Sequence, residues 1–471
     1  MDKKSDDLTI GNVEDILALT PLQKNMLYSF LLDESANKYY EQWRYKIKGD
    51  IILHHIIQAW QYVINNNEML RCIIRWRGFR KPIQMILKEK DVHIDVHNLK
   101  KVDSHVVQYE ADKIALKEWE QKVDLQKNPF RITLTLLSEQ EWEMIITSHH
   151  MILDGWSNAN LLRELFSYYD AICSEKAITL SKKTPFKAYI KQQQSQHKTQ
   201  NTIDYWTNMF RDYPQQSKFV KEYGLSKKIE SSIEVLHISE DNTNAIHTFC
   251  KLHNITMSVL WYAAWAILMH KYYHQSDVVF GVTLSGRNMD LKGIQEMVGL
   301  FIRTLPFRLC IKPSTEIMHI LKDTNRLTMD MEAHKDVELT DLMHIFPYAM
   351  KSIMNTIIVI QNYPIGKLLH NKQRHIQLYS SFYEIDSDIT VGIKAFGTCT
   401  DIEIAYNQDV FQDDFMQQLL RDYYSIMMQL VHAKYIERLT TDNIRIHHKK
   451  TIKREKTSNT KQVFDNLDFK F

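Results

Sequence analysis

The residues best suited to chemistry lie in one short string, His-His-Met-Ile-Leu-Asp-Gly, at residues 149–155. An imidazole, with an unperturbed pKa of about 6.5, can accept a proton at neutral pH, and a nearby carboxylate can fix the loop by pairing with a cation. A β-rich segment precedes the string and an amphipathic helical pattern follows it. We therefore expect the histidines where a buried strand ends in a loop, so that a rigid element presents them to a cavity.

Adjacent histidines are weak evidence by themselves, because the chain has 21 histidines and further pairs at residues 54–55 and 447–448. A packing histidine beside a surface histidine is the plainest alternative for residues 149 and 150. A metal site is disfavoured, since consecutive strand residues point to opposite faces and the chain contains neither His-Glu-x-x-His nor Cys-x-x-Cys. Acid–base chemistry by one histidine fits better. Gly155 would allow a backbone conformation, or a close approach, that a side chain would block.

Further motifs follow in order along the chain. They are Leu-Thr-Pro-Leu-Gln (19–23), Asn-Glu-Met-Leu-Arg (67–71), Thr-Pro-Phe-Lys-Ala-Tyr-Ile (184–190), Leu-Ser-Gly-Arg (284–287), Met-Val-Gly-Leu-Phe-Ile-Arg-Thr-Leu-Pro (297–306) and Asn-Tyr-Pro (362–364). Together with the histidine string, this colinear set resembles the motifs of condensation domains of nonribosomal peptide synthetases, members of the chloramphenicol-acetyltransferase-like superfamily. The resemblance extends over about residues 15 to 445.

The resemblance implies an α+β fold with two chloramphenicol-acetyltransferase-like lobes that form a V-shaped pseudo-dimer around a central tunnel. We place the N-terminal lobe, which carries the histidine motif, at residues 1–180 and the C-terminal lobe at residues 181–446. The remainder, residues 447–471, is basic at its start, and we predict a flexible tail. A short docking segment for a partner is the alternative for this tail.

The resemblance also implies a reaction: an acyl or peptidyl group passes from the phosphopantetheine thioester of a carrier protein to an amine, and an amide forms. His150 matches the second histidine of the motif and is either the base or a group that positions the amine. His149 is expected to pack and orient, and Asp154 to pair with Arg287. The Gly155 amide is a candidate for stabilising developing oxyanion charge. The remaining candidates are Ser157 as support for the site and Asn362, Trp156 and Arg303 as substrate-binding residues.

Three departures from the family pattern stand out. Asn67 occupies the place of a histidine in the second motif, and Arg303 occupies the place of an asparagine. The segment His-Lys-Asp-Val-Glu-Leu at residues 334–339 lacks the proline of its family counterpart. These changes leave the histidine motif intact but put substrate-positioning contacts in doubt.

Several relatives of this family share the motif. Trp156 and Ser157 after the motif favour condensation over epimerisation, in which Val-Ser-Trp-Arg is typical, and cyclisation domains carry aspartates in place of the histidines. A coenzyme A-dependent or carrier-dependent O- or N-acyltransferase is an alternative. So is a degenerate domain that acts as a recruitment platform.

Composition limits the remaining possibilities. A net charge of +2 gives no nucleic-acid footprint, and the five scattered cysteines do not predict a disulfide framework. We found no signal peptide and no apolar run of the ~20 residues that a membrane span needs. The expectation is a cytoplasmic, free-standing monomer without a bound cofactor or metal. Its partners would be carrier proteins and other synthetase subunits, not nucleic acid or membrane.

Local patterns predict the elements around the motif. The predicted helices cover residues 14–32, 54–66, 158–173, 242–253, 258–270 and 413–433. The predicted strands cover residues 39–48, 131–137, 143–147, 277–282, 304–310, 356–359 and 402–406. Residues 138–140 are expected to turn a hairpin whose second strand leads into the motif.

Overall fold

The computed structural model describes residues 10–32, 38–91, 93–180, 182–195, 199–213, 231–337, 341–342, 346, 355–361, 370–371, 374–383, 387–396 and 399–447. The helices are α1 (Pro21–Leu32), α2 (Leu53–Asn66), α3 (Val107–Glu120), α4 (Gly155–Cys173), α5 (Phe186–Ser195), α6 (Gln200–Phe210), α7 (Glu240–Leu252), α8 (Met257–Tyr273), α9 (Ile317–Ala333) and α10 (Asp413–Val431).

The strands alternate irregularly with these helices. They are β1 (Val13–Ala18), β2 (Tyr40–Lys48), β3 (Cys72–Arg75), β4 (Ile83–Leu87), β5 (Ile94–Asn98), β6 (Phe130–Ser138), β7 (Glu141–His149), β8 (Ser231–Ile238), β9 (Asp277–Leu284), β10 (Arg303–Cys310), β11 (Thr356–Gln361), β12 (His370–Asn371), β13 (Arg374–Tyr383), β14 (Ile389–Phe396) and β15 (Cys399–Asn407). The mixed order is that of an α+β protein.

The first large sheet carries the histidine motif. Its strand order is β12-β13-β2-β7-β6-β5, and the antiparallel hairpin of β6 and β7 confirms the predicted hairpin. Strand β2 pairs antiparallel with β7, which places Tyr40 opposite His149. Helices α2 and α4 pack together, and an apolar cluster around Trp60, Ile146 and Leu162, which we call the first core, fills the space against the sheet.

One strand of this first sheet comes from far along the chain. Strand β13 pairs antiparallel with β2, so that Tyr45 lies opposite Leu378. Residues 374–383 belong to the predicted C-terminal lobe, which begins after residue 180, yet they form a strand in the sheet of the predicted N-terminal lobe. Phe186 and Tyr189 of α5 also belong to the first core.

The second large sheet has the order β10-β9-β11-β14-β15-β8, with parallel pairing of β11 to both β9 and β14. Helix α8 is buried throughout residues 259–268, and it packs with α9 and α10 in the second core, an apolar cluster around Trp261, Trp265 and Phe307. The Tyr423 hydroxyl on α10 donates to the Trp261 carbonyl at 3.0 Å. The mixed sheet agrees with the predicted α+β class.

A membrane span is not found in any single helix that the structure describes. Helices α7 and α8 taken together have the length and apolar composition of a membrane span, but the chain bends by 102° at the break between them.

The predicted helix at residues 14–32 is wrong in its first part. Residues Val13–Ala18 form β1, which pairs with β4, and the helix begins only at Pro21. Thr20 and Gln23 form a reciprocal cap: the Thr20 amide donates to Gln23 Oε1 at 2.9 Å, and the Gln23 amide donates to Thr20 Oγ1 at 3.3 Å. A proline at the first helical position restricts the residue before it to extended backbone, so the Thr-Pro-Leu-Gln string marks a helix start.

Candidate functional site

The histidine motif lies where the sequence predicted it, at the end of a buried strand. Strand β7 ends at His149, α4 begins at Gly155, and a five-residue loop, residues 150–154, joins them. Met151, Ile152 and Leu153 are fully buried in the first core. This apolar triplet anchors the loop, so that the polar residues on either side of it are held in fixed places.

His149 packs in the core, and its ring accepts one hydrogen bond. Its ring is buried and lies edge-on to Phe30 and Tyr40, with ring centroids 5.8 and 5.6 Å away. The Met151 amide donates to His149 Nδ1 at 3.1 Å, which fixes that nitrogen as an acceptor. Burial, and to a lesser extent the charge of His150, lowers the pKa of His149 to about 3. This ring stays neutral at physiological pH.

The depressed pKa makes His149 a source of acid sensitivity. The folded protein protonates this ring only near pH 3, whereas the unfolded chain does so near the ordinary value of 6.5, so the unfolded state binds the extra proton between those values. His149 should therefore reduce the free energy of unfolding by about 2 kcal/mol between pH 7 and pH 5. A His149→Asn variant keeps an acceptor without titrating, and urea unfolding at both pH values should show a smaller loss. An equal loss in both proteins would contradict the assignment.

His150 presents one ring nitrogen for chemistry. Its backbone amide donates to the Tyr39 carbonyl at 2.8 Å, and its Nδ1 lies 2.7 Å from the Leu153 carbonyl oxygen. A carbonyl can only accept, so Nδ1 carries the hydrogen and Nε2 keeps its lone pair. The side chain is 18% exposed, unlike the buried ring of His149. Of the two histidines, His150 is therefore the one that can accept a proton from another molecule.

Glu41 is a neighbour of His150 that the sequence did not predict. Its Oε2 lies 3.5 Å from His150 Nδ1, and its side chain is 15% exposed. The pKa of Glu41 lies above its usual value, chiefly because the carboxyl group is buried; the charge of His150 lowers it, the charge of Asp154 raises it, and hydrogen bonding by the Trp43 side chain lowers it. Glu41 precedes the motif by more than a hundred residues, and no local pattern marks it.

Asp154 is buried, and both of its carboxylate oxygens are occupied. Oδ1 accepts from the Ser157 amide and lies 2.8 Å from the Ser157 hydroxyl, as an N-terminal cap of α4 does. Oδ2 accepts from the Phe301 amide at 3.0 Å, and the Asp154 amide donates to the Gly299 carbonyl at 3.1 Å. Asp154 thus links the motif loop to residues 299–301 through hydrogen bonds.

Arg287 completes this arrangement. Its Nη2 lies 3.1 Å from Asp154 Oδ1 and 2.8 Å from Ser157 Oγ, so the ion pair expected from the sequence is present. Its Nη1 donates to the Ile294 and Met297 carbonyls at 2.6 and 2.9 Å. The guanidinium is buried and its positive charge meets the carboxylate within a set of carbonyl acceptors. These contacts explain why the motifs at residues 284–287 and 297–306 accompany the histidine motif.

Gly286 shows how closely these segments pack. Its φ is +64°, and a Cβ atom added there would lie 1.7 Å from the Phe301 carbonyl oxygen. Gly78 also has a positive φ, +81°, but an added Cβ would meet nothing within 4 Å. Gly286→Ala should therefore lower the free energy of unfolding by at least about 3 kcal/mol, against about 1 kcal/mol for Gly78→Ala. Urea unfolding of both variants checks this difference, and equal losses would contradict it.

Gly155 and Trp156 open α4 directly after Asp154. Gly155 is the first residue of the helix, so its N–H has no acceptor within α4. It is not among the described glycines with positive φ, so of its two predicted roles the unusual backbone conformation is wrong, and the close approach stays a prediction. The indole N–H of Trp156 donates to the Gln295 carbonyl at 3.0 Å. Trp156 thereby ties the start of α4 to the segment that Arg287 also binds.

Arg303 lines a small cavity. Its Nη1 donates to the Lys335 carbonyl and pairs with Asp336 Oδ1, both at 3.0 Å. The cavity, of about 90 Å³, is lined in part by Leu22, Tyr189 and Arg303 itself. Two departures from the family pattern, at residue 303 and at residues 334–339, thus contact each other. Residues 338–339 lie outside the described residues, as does Asn362.

The third departure, Asn67, has a structural role. Its side-chain amide donates to the Val63 carbonyl at 2.8 Å and to Glu164 Oε2 at 2.9 Å, while its oxygen accepts from Lys183 Nζ at 2.6 Å. Lys183 also pairs with Glu164. Asn67 is fully used in holding α2 against α4, and nothing in these contacts involves the histidine motif.

A metal centre is not indicated in the part of the chain that the structure describes. No group of three or more His, Cys, Asp or Glu side chains is arranged there to hold an ion.

Comparison with known proteins gives one consistent result. The model of the "Condensation domain" family matches residues 13–434. Tyrocidine synthase 2 of Brevibacillus parabrevis is 25% identical over 415 residues, which cover 86% of this chain and 12% of that protein. Surfactin synthase subunit 3 of Bacillus subtilis (strain 168) is 26% identical over 424 residues, or 89% of this chain and 33% of that protein. The chain thus spans a third or less of the length of these curated relatives.

Solved structures show the same fold. A crystal structure of the first condensation domain of the CDA synthetase superposes with a TM-score of 0.79 at 14% identity, covering 92% of this chain and 99% of that one. The X-domain from teicoplanin biosynthesis matches with a TM-score of 0.75 at 17% identity over 92% of this chain and 98% of that one. The predicted fold class, α+β of the chloramphenicol-acetyltransferase-like type, is confirmed.

Proposed function

The chain belongs to the condensation-domain family, and we propose that it transfers an acyl or peptidyl group from a carrier-protein thioester to an amine. Condensation domains are acyltransferases that form amide bonds in nonribosomal peptide synthesis, on substrates held by phosphopantetheine. The observation that carries the proposal for this chain is the geometry of His150: Nδ1 lies at hydrogen-bond distance from the Leu153 carbonyl, the ring is partly exposed, and Nε2, which has no hydrogen bond to any residue that the structure describes, can act as a base.

The proposed step balances without a further reactant. The amine nitrogen attacks the thioester carbonyl carbon, so a C–N bond forms and the C–S bond breaks. His150 Nε2 takes the proton that the nitrogen loses and returns it to the leaving sulfur, which yields an amide and a thiol. Positioning of the amine by a hydrogen bond to the same nitrogen is the other role open to His150, and it contributes through orientation.

The surrounding residues receive supporting roles in this proposal. His149, Asp154, Ser157 and Arg287 hold the loop so that the His150 ring stays in one orientation. The Gly155 N–H is a donor for the oxyanion that forms on the thioester carbonyl, and one such donor is worth roughly 3 kcal/mol in related chemistry.

Three residues outside the histidine pair are proposed to contact the substrates. Trp156, Arg303 and Asn362 remain the proposed substrate-binding residues. For Arg303 the support is its position at the cavity. The contact between Arg303 and Asp336 neutralises the added charge, so a substrate near this cavity would meet a paired guanidinium rather than an isolated cation.

The partners follow from the curated relatives, which are much longer synthetase subunits. We propose that carrier proteins deliver the donor, and in one form of the reaction the acceptor, and that other synthetase subunits supply them. We also retain the two lobes as a proposal, with β12 and β13 paired into the first sheet. The tail predicted at residues 447–471 lies, from residue 448 onward, outside the described residues.

The experiment supplies one donor aminoacyl group in two forms, on the phosphopantetheine of a carrier protein and on coenzyme A, with a panel of free and carrier-bound amino acids. Amide detected by mass spectrometry from the carrier-bound donor supports the proposal. Product only from the coenzyme A thioester would favour a free acyltransferase, and an ester product would exclude amide formation as the natural reaction. Carrier binding without any product would support the recruitment platform.

A further inference from the structure

Glu41 is an acidic residue in a row of apolar side chains. Alternate side chains of a strand share a face, so Glu41 lies on the same face of β2 as Trp43, Tyr45 and Ile47, which are all buried in the first core. Its Oε2 is buried and has no hydrogen-bond partner among the described residues. Hydrogen bonding by the Trp43 side chain lowers the pKa of Glu41 but does not offset the burial that raises it, so this carboxyl group is incompletely compensated and packing does not explain the residue.

The sheet sets the distance between Glu41 and His150. Tyr40 lies opposite His149 in the β2–β7 register, and the His150 amide bonds to the Tyr39 carbonyl, so both backbones are fixed. The resulting separation of 3.5 Å from Glu41 Oε2 to His150 Nδ1 is too long for a strong hydrogen bond but is within ion-pair distance whenever the ring is protonated. Leu153 takes the Nδ1 hydrogen bond, so Glu41 acts on the ring through its charge.

We propose that Glu41 is a positioning residue that stabilises the protonated ring of His150 during acyl transfer. The inference rests on the proposed function and adds to it the group that offsets the charge on His150. Once His150 Nε2 has taken the amine proton, the ring is cationic in a largely enclosed site, and a carboxylate close to Nδ1 lowers the energy of that state.

The other groups around Glu41 are consistent with this role. Asp154, which acts on Glu41 through its charge, is itself paired with Arg287. His149 is neutral in its buried setting. Tyr45 carries no charge, because burial raises the pKa of its hydroxyl well above the ordinary range. Of the described groups that act on Glu41 through their charge, His150 is thus the one that can become cationic.

The test uses variants that separate charge from shape. Glu41→Gln keeps the shape and removes the charge, and kcat for amide formation should fall roughly 10- to 100-fold while the KM for the amine changes less than about 3-fold. Glu41→Asp keeps the charge at a greater distance and should recover at least about 3-fold of kcat over Glu41→Gln. A purely structural role would not be rescued in this way.

The matched control is Glu118→Gln. The Glu118 side chain is 8% exposed and pairs with Arg131 on β6 at 3.1 Å, so it is a similarly enclosed carboxylate with a different partner. Its loss should leave kcat within about 2-fold of the wild-type value. Cooperative urea unfolding of every variant verifies that each one is folded.

A second readout does not depend on activity. Diethyl pyrocarbonate acylates only unprotonated imidazole, and peptide mass spectrometry can follow the reaction at His150. Glu41→Gln should raise this rate at least about 2-fold at pH 6, and Glu118→Gln should not. Normal kcat in Glu41→Gln, with His150→Ala inactive, would overturn the inference and leave the proposed function standing. If the wild type forms no amide, the proposed function fails. In that case, a rate of diethyl pyrocarbonate acylation at His150 that is the same in Glu41→Gln as in the wild type would overturn the link between Glu41 and His150.

Discussion

Replacing His150 by alanine is expected to lower amide formation by about 10²- to 10⁴-fold, the usual contribution of a positioned acid–base group. The variant should remain folded, because the side chain is partly exposed and makes one hydrogen bond, to the Leu153 carbonyl. The buried triplet of residues 151–153 and the Asp154 contacts hold the loop without it. The measurement is single-turnover formation of the amide, with unfolding in urea measured on the same preparation.

The control for this prediction is His54→Ala. His54 also belongs to a pair of adjacent histidines, but it is exposed in the first turn of α2. Its removal should leave turnover within about 2-fold of the wild-type value. A folded His150→Ala protein with normal turnover would remove His150 from the chemistry.

Asp154→Ala is expected to lower the free energy of unfolding by about 3 to 5 kcal/mol, because it leaves the buried Arg287 guanidinium without its counter-charge. The substitution also removes the acceptor for the Phe301 amide and the cap of α4. Both losses fall on the loop that carries His150, so turnover should fall as well. Urea unfolding measures the first effect, and turnover of the protein that remains folded measures the second.

An exposed pair in the same chain provides the comparison. Asp323 and Arg326 on α9 lie 3.1 Å apart, the same distance as Asp154 and Arg287, but the Arg326 side chain is 67% exposed. Water screens such a pair, so Asp323→Ala should cost no more than about 1 kcal/mol. If the two aspartate substitutions cost the same, burial of the Asp154 pair is not what stabilises the loop.

The sequence predicted the elements around the motif because the information there is local. Residues 131–137 alternate in polarity, and β6 and β7 form as expected, with the first histidine at the strand end. The ion pair between Asp154 and Arg287 was predicted from the resemblance, whereas the cap that Asp154 forms at the start of α4 was not predicted. The predicted helix at residues 14–32 is wrong over residues 14–18, because the Thr-Pro-Leu-Gln string, which marks the helix start, lies inside the predicted range.

Contacts between distant segments could not be predicted from local patterns. Strand β13 joins the first sheet beside β2 across more than three hundred residues, and the pairing depends on which edge is left open in the folded chain. The contact of Glu41 with His150 and the ion pair of Arg303 with Asp336 likewise join segments that are distant in the sequence. In each case one partner is unremarkable in its own segment, and only the tertiary register brings the two charges together.

The most direct measurement is the mass of the product in a single turnover of the wild-type chain with an aminoacyl carrier-protein donor and an amine acceptor, run in parallel with His150→Ala. An amide carrying both groups, formed by the wild type and lost in the folded variant, is the predicted result. Amide formed equally by both proteins, or no amide from the carrier-bound donor with any acceptor in the panel, would contradict acyl transfer through His150.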